Sequence, residues 1–370
     1  MSQTDGALAA QHPRRLDDVT TGWLTAALQG AGVDAEVASF EPTLIGDGVG
    51  QMATLHRLLL TYSSGSGPAA LVVKFAGQME ANLAIAAQFG LFRREVEFYR
   101  VAAARTSMAL PRVYVAEIDP DESFALLMED LGGMQTGDQV EGLAPERAEA
   151  AIDQLVLLHA PFWDRVDTGE YDFAPRVDAV GQADQMHAIA TASWDAMNAV
   201  HGDAVPAFMN EVRDRFLDAV PAMHAWLGGA PTTLIHSDYR LDNLMLGVGA
   251  DQPPVVTLDW QGVLRSRGIE DVAFLLSQSV PSEQRGGCER ALVERWRIGL
   301  AAAGVDAGTA DEVWRDYRRC VLYLWMYAVI ISGALDPSNE RARRVMRAIV
   351  TRSAAAVQEL DCLSLLADFE

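Results

Sequence analysis

The run His236-Ser237-Asp238-Tyr239-Arg240-Leu241-Asp242-Asn243, followed further on by Leu258-Asp259-Trp260, decides how the rest of this 370-residue chain is read. It places a His-x-Asp-x4-Asn element ahead of a second, lone aspartate. A carboxylate that orients a hydroxyl, together with two oxygen ligands that hold magnesium against phosphates, is what phosphoryl transfer requires. Asp238 fits the first role; Asn243 and Asp259 fit the second. Short apolar runs flank each polar group: Thr232 to Ile235 before the element, Leu244 to Leu246 after it, and Val255 to Leu258 before Asp259. Such runs read as strands that aim the polar loop.

A distant feature points to the same chemistry. Of the 29 lysine and arginine residues only Lys74 is a lysine. It lies in Ala69-Ala70-Leu71-Val72-Val73-Lys74-Phe75, which reads as a buried strand with one charge facing inward. A compact ammonium on a thin stem reaches two phosphate groups in a way that a planar guanidinium fork does not. A buried cation needs a partner. The stretch Phe92-Arg93-Arg94-Glu95-Val96-Glu97-Phe98-Tyr99 has helical spacing and offers Glu95, with Glu97 as the competing partner. Upstream, Gly46-Asp47-Gly48-Val49-Gly50 lies between two expected strands; its backbone amides can drape over phosphates, or it can be an ordinary glycine turn.

Composition narrows the partners. A formal net charge of −22 argues against nucleic acid and against an anionic membrane surface. Cys288, Cys320 and Cys362 form no Cys-x-x-Cys pair, which fits a reducing, cytoplasmic setting and argues against a thiolate zinc site. Met1 to Arg15 has no apolar core of a secretory signal. The apolar run from Cys320 to Leu335 is shorter than the roughly 20 residues that cross a bilayer, so it reads as a core helix. No segment marks a protein partner.

Residues 1–15 read as a disordered tail, and a first helix is expected over Leu16 to Leu28. Strands follow over Val37 to Ile45, Met52 to Tyr62 and the lysine segment, with a Ser/Gly/Pro hairpin turn at 63–68. Asn82 to Ala104 reads as one long helix, or two joined near Gly90, before strands over Arg112 to Ile118 and Ser123 to Met128. This gives an N-lobe over 16–128, a polar, glycine-containing hinge over 129–134 and a helical C-lobe over 135–370. Apolar spacing predicts helices over 144–159, 182–201, 207–227, 288–303, 311–333 and 337–365. The strands around Asp238 and Asp259 interrupt them.

With Lys74, Glu95, His236, Asp238, Asn243 and Asp259 in this order, the chain resembles the protein-kinase-like superfamily. Within it the chain is most similar to the aminoglycoside phosphotransferase and choline kinase branch, and there to the ecdysteroid-kinase-like group. That similarity rests on Glu95-Val96-Glu97-Phe98-Tyr99, Met128-Glu129-Asp130-Leu131, Leu158-His159-Ala160-Pro161-Phe162-Trp163 and Leu258-Asp259-Trp260-Gln261. The resemblance implies an α+β, two-lobe protein-kinase-like fold, with an N-terminal antiparallel sheet plus helix and a larger, mainly helical C-terminal lobe. It implies ATP, with GTP open, and Mg2+ as cofactors, the adenine edge meeting backbone groups of Glu129 and Leu131. The glycine turn departs from the protein-kinase Gly-x-Gly-x-x-Gly. Only eleven residues separate Asp259 from Asp271 and no Ala-Pro-Glu element follows, so a hydroxylated small molecule rather than a peptide is the expected acceptor.

Other residues carry two readings. Asp271 is either a helix cap or a brace of the catalytic loop. His236 reads as a buried histidine bracing that loop, since a zinc site would need a third ligand. Asp242 reads as a solvated loop charge or a substrate contact, and His159 and Trp163 as packing. The alternative to an enzyme is a nucleotide-binding pseudokinase or scaffold, weakened because no element of the catalytic set is missing. The acceptor helices carry no readable code; their apolar and methionine content tilts toward a lipophilic hydroxylated acceptor over an antibiotic, a choline-like amine or a sugar.

Overall fold

Alternation along the strands organises the first part of the chain. The structure, a computed structural model, describes residues 12–46, 52–334 and 339–370. It divides into two compact units, one running to Arg100 and including Pro111–Leu131, the other comprising Val101–Leu110 and Gly132–Glu370.

In the first unit, α1 (Thr21–Gly30) leads into β1 (Ala35–Ile45), β2 (Ala53–Gly65) and β3 (Ala70–Ala76). α2 (Glu80–Phe89) and α3 (Leu91–Glu97) follow, then β4 (Val113–Ile118) and β5 (Phe124–Glu129). The five strands form one antiparallel sheet in the order β1-β2-β3-β5-β4. Successive residues of a strand point to opposite faces. On β3, Leu71, Val73 and Phe75 therefore pack with Leu24 and Leu28 of α1, while Val72 packs with Phe92 and Val96 of α3. Lys74 shares the α3 face and stands opposite Leu55 and Leu126 in the ladder.

The expected helix over 16–28 begins later, at Thr21, because Thr20 caps it by accepting from the Trp23 N–H at 3.1 Å; Leu16–Asp18 is a single 3-10 turn. The helix from residue 82 breaks at Gly90, whose φ of 62° is left-handed and suits glycine. Of the tail expected at 1–15, residues 1–11 lie outside the described residues. Residues 12–15 are not free: Arg14 pairs with Asp119 and Asp121 at 2.6 and 2.8 Å, and a His12 ring nitrogen bonds the Ser123 carbonyl at 3.2 Å.

The second unit contains β6 (Gln135–Thr136), α4 (Pro145–Phe162), α5 (Gln182–His201), α6 (Ala207–Glu211) and α7 (Arg213–Leu227). Then come β7 (Thr233–Ile235), β8 (Leu244–Leu246), β9 (Val255–Thr257), β10 (Leu264–Ser266) and α8 (Ile269–Ser279). It closes with α9 (Ser282–Ala302), α10 (Ala310–Ala334) and α11 (Glu340–Glu359). The helix expected over 207–227 is two helices, since Val212 leaves the helical region. β7 pairs with β10, and β8 lies between β6 and β9, so two small antiparallel sheets carry the polar loops. Every residue of α8 is buried, and α10 packs against α5, α8 and α11 with Cys320 through Met326 all enclosed. No helix among the described residues is long and apolar enough to cross a membrane.

Candidate active site

Within the first unit, the Lys74 ammonium donates to both carboxylate oxygens of Glu95, at 2.9 and 2.7 Å, with the two side chains 6% and 1% exposed. β3 supplies the cation and α3 the anion. Glu97 points elsewhere and pairs with Arg100 at the surface. A pair this deep is held by its partners: removing one side strands a buried charge at a cost of about 3–5 kcal/mol. Glu129 ends β5, and its carboxylate accepts from the Arg112 N–H at 3.0 Å. Asp130 pairs with Arg57 of β2 at 3.0 Å, so the stretch ending at Leu131 is pinned to the sheet from two sides. Gly46 follows β1 with φ of 73°; Gly48 and Gly50 lie outside the described residues.

Within the second unit, the His236–Asn243 loop leaves β7 and enters β8. His236 is fully buried, with Nε2 2.8 Å from the Leu258 carbonyl and Nδ1 3.2 Å from the Asp238 N–H. The ring thus donates through Nε2 and accepts at Nδ1, joining the Asp238 loop to the residue before Asp259. Neither nitrogen is left for a metal, which removes the zinc reading. The Asn243 amide N–H2 donates to the Asp238 carbonyl at 2.8 Å and to its carboxylate at 2.9 Å. This orients the amide so that its own oxygen is the remaining ligand atom. Ser237 and Asp259 adopt φ of 65° and 62°, a left-handed backbone rare outside glycine. Such strain collects at functional turns, where it re-aims side chains.

The Asp238 carboxyl is pushed above the usual carboxylate range, chiefly by withdrawal from water and further by neighbouring Asp259; Arg240 opposes the rise. Its side chain remains 35% exposed, so solvent limits the shift. The direction suits an acid–base group, whose best pKa lies near the working pH. Arg240 contacts the Asp238 carboxylate at 3.1 Å and lies 3.7 Å from Asp242.

The loop is braced from behind. Asp271 is the third residue of α8, whose cap position is Gly268, and it makes no cap. Instead its carboxylate accepts from the backbone N–H groups of His236 at 2.7 Å and Ser237 at 2.8 Å. His159 of α4 adds Nε2 at 3.2 Å, so this histidine does more than pack. Beside it, Glu270 is buried against the Ser266 hydroxyl at 2.6 Å, and burial pushes its carboxyl up to about 8, with Asp271 adding to the rise.

Gln139, after β6, was not legible as a site residue. Its side-chain oxygen accepts from the Leu241 N–H at 3.0 Å and its backbone N–H donates to Asp242 at 2.9 Å. Asp242 is thereby an anchor of the loop, 15% exposed, rather than a solvated charge. Arg352 of α11 holds the Gln139 carbonyl at 2.6 Å in turn. Gly137 permits this approach, since a Cβ there would stand 2.0 Å from the Leu241 carbonyl. A neutral glutamine far from the motif carries no period or charge that would single it out.

The sequence profile of the phosphotransferase enzyme family matches residues 61–310. No curated protein matches the chain in sequence. Among solved structures, a provisionally assigned aminoglycoside phosphotransferase of Ralstonia eutropha superposes with a TM-score of 0.56 at 17% identity, covering 92% of this chain and 98% of the other. Choline kinase of Cryptosporidium parvum gives 0.55 at 10% identity, covering 94% and 99%. The GDP complex of aminoglycoside 2'-phosphotransferase-IIIa gives 0.54 at 12% identity, covering 92% and 100%. At these identities the likeness is one of fold: the α+β architecture of the protein-kinase-like small-molecule kinases.

Proposed function

The chain belongs to the phosphotransferase enzyme family, and we propose that it moves the γ-phosphate of ATP to a hydroxyl of a small molecule in the cytoplasm. The observation that carries this reading is the Asn243 grip on Asp238. One amide fixes through its nitrogen the carboxylate that would orient the acceptor, which leaves its own oxygen as the atom that would serve as a ligand. In this reading Lys74, held by Glu95, steadies the α- and β-phosphates, and the glycine turn from Gly46 through Gly48 and Gly50 covers them. Backbone groups of Glu129 and Leu131 meet the adenine edge. Asp238 orients the acceptor O–H for in-line attack, and the nucleoside diphosphate leaves. His236 and Asp271 hold the loop in place.

The ligand set fits magnesium: Asn243 and Asp259 offer only oxygen, which suits a hard cation that keeps several waters. Bound there, Mg2+ would neutralise charge on the phosphates. GTP is the second donor to test, since one protein of this fold was captured with GDP. The acceptor is a lipophilic hydroxylated compound, in keeping with the apolar helices of the second unit.

The experiment is transfer of radiolabelled γ-phosphate from magnesium ATP to a panel of sterols, other lipophilic alcohols, sugars, amino alcohols and aminoglycosides, with Asp238→Asn alongside. Labelled product from a lipophilic alcohol, reduced about a thousandfold in the variant, is the expected result. Equal turnover in the variant would remove Asp238 from its role. A labelled sugar or aminoglycoside in place of the alcohol would overturn the acceptor class.

A further inference from the structure

We infer that Trp296 is a positioning residue that acts through His159 on the loop carrying Asp238; its consequence for rate rests on the phosphotransfer reading, its chemistry does not. Trp296 lies on α9 and is 1% exposed; its indole Nε1 is 3.1 Å from Nδ1 of His159. An indole N–H can only donate, so Nδ1 accepts and the ring proton sits on Nε2. That nitrogen is the one facing Asp271 Oδ2 at 3.2 Å. The same oxygen takes the His236 N–H, and Oδ1 takes the Ser237 N–H.

In the other tautomer, an imidazole lone pair would face a carboxylate oxygen and an imidazole N–H would face the indole N–H. Two hydrogen bonds would become two repulsions. His159 and Asp271 have no solvent exposure, so water cannot compensate. Asp271 and Trp296 thus select the same tautomer from opposite sides of the ring, and Trp296 holds the ring so that Nε2 is aimed at Asp271. Gly268 leaves the room this requires: a Cβ there would stand 2.9 Å from His159 Nδ1 and 3.1 Å from Trp296 Cζ2. Ring and indole meet edge to face at 5.9 Å between centroids.

The lock reaches the chemistry through Ser237. Its left-handed backbone persists because Asp271 holds its N–H. A loosened Asp271 lets Ser237 relax and shifts Asp238, the next residue, which costs rate more than nucleotide affinity.

The test uses the full-length protein with ring-15N histidine and measures phosphate release from magnesium ATP into water. Wild type should show a protected Nε2–H histidine signal, assigned to His159 by its loss in His159→Gln. In Trp296→Phe, which keeps an aromatic ring but no donor, Asp271 still holds the proton on Nε2, but the Nδ1 signal should move to that of an unbonded nitrogen and the Nε2–H should lose its protection from exchange. Phosphate release should fall about tenfold at unchanged KM for nucleotide. His159→Gln keeps a donor toward Asp271 but no Nδ1 for Trp296 to hold, so adding Trp296→Phe there should change the rate less than about twofold. An Nε2–H signal as protected in Trp296→Phe as in wild type would overturn the lock. So would the same tenfold loss in the His159→Gln background, which would mean that Trp296 acts by packing. A wild type that releases no phosphate would count against the phosphotransfer reading, and the ring signals would still decide the lock.

Discussion

The Lys74–Glu95 pair and the His236–Asn243 loop are two ways of holding polar groups away from water. The pair is direct: one ammonium and one carboxylate, both buried, each bonded to the other. The loop is held from outside, by Asp271 of α8, His159 of α4 and Gln139 after β6, largely through its backbone N–H groups. The difference is that between mutual and distributed support. A mutual pair fails at once when either member is lost, whereas a distributed brace loses one strand at a time.

The comparison breaks first at Lys74. Lys74→Met leaves Glu95 charged and buried, and urea unfolding of that variant should show a loss of about 3–5 kcal/mol. Lys74→Met with Glu95→Leu should recover most of it; a double variant as unstable as the single one would mean that the pair is not mutual. Next is Asp271→Asn. One amide oxygen cannot serve three donors as a carboxylate does, and the amide N–H2 faces them, so the same measurement should show a loss of about 1–3 kcal/mol.

This contrast also explains how much was legible in the sequence. Lys74 stood out as the lone lysine in an arginine-using chain, and Glu95 lay on a helix at the spacing a partner needs. Asp238, Asn243 and Asp259 were visible because loop residues framed by apolar strands keep a fixed interval. Gln139, the linking role of His159, and Arg352 were not visible. Their bonds run to backbone groups or join side chains more than a hundred residues apart, and nothing in the local period marks them. The helix break at Val212 and the two-residue β6 were hidden for a related reason: tertiary contacts impose them where propensity is indifferent.

A third way to sharpen the comparison is pH. Burial raises the Glu270 carboxyl to about 8 in the folded chain, while the unfolded chain ionises in the ordinary glutamate range. The folded state is then penalised as pH climbs from about 4.5 toward 8, and below that window both states are protonated and no penalty exists. Glu270→Gln should accordingly melt close to wild type near pH 4.5 and several degrees above it near pH 8. An unchanged gap across this range would show that Glu270 does not titrate there. The smallest effect belongs to Glu97, whose surface pair with Arg100 resembles the Glu95 pair in chemistry alone. Glu97→Gln should cost under about 1 kcal/mol, and a loss as large as that of Lys74→Met would erase the distinction between surface and buried pairs.

The most direct test of the central claim is calorimetric titration of ATP and GTP into the full-length protein, with and without magnesium, beside Asp259→Asn. The account predicts binding that magnesium strengthens in wild type, with that strengthening lost in the variant. Binding indifferent to magnesium, or no binding of either nucleotide, would contradict it.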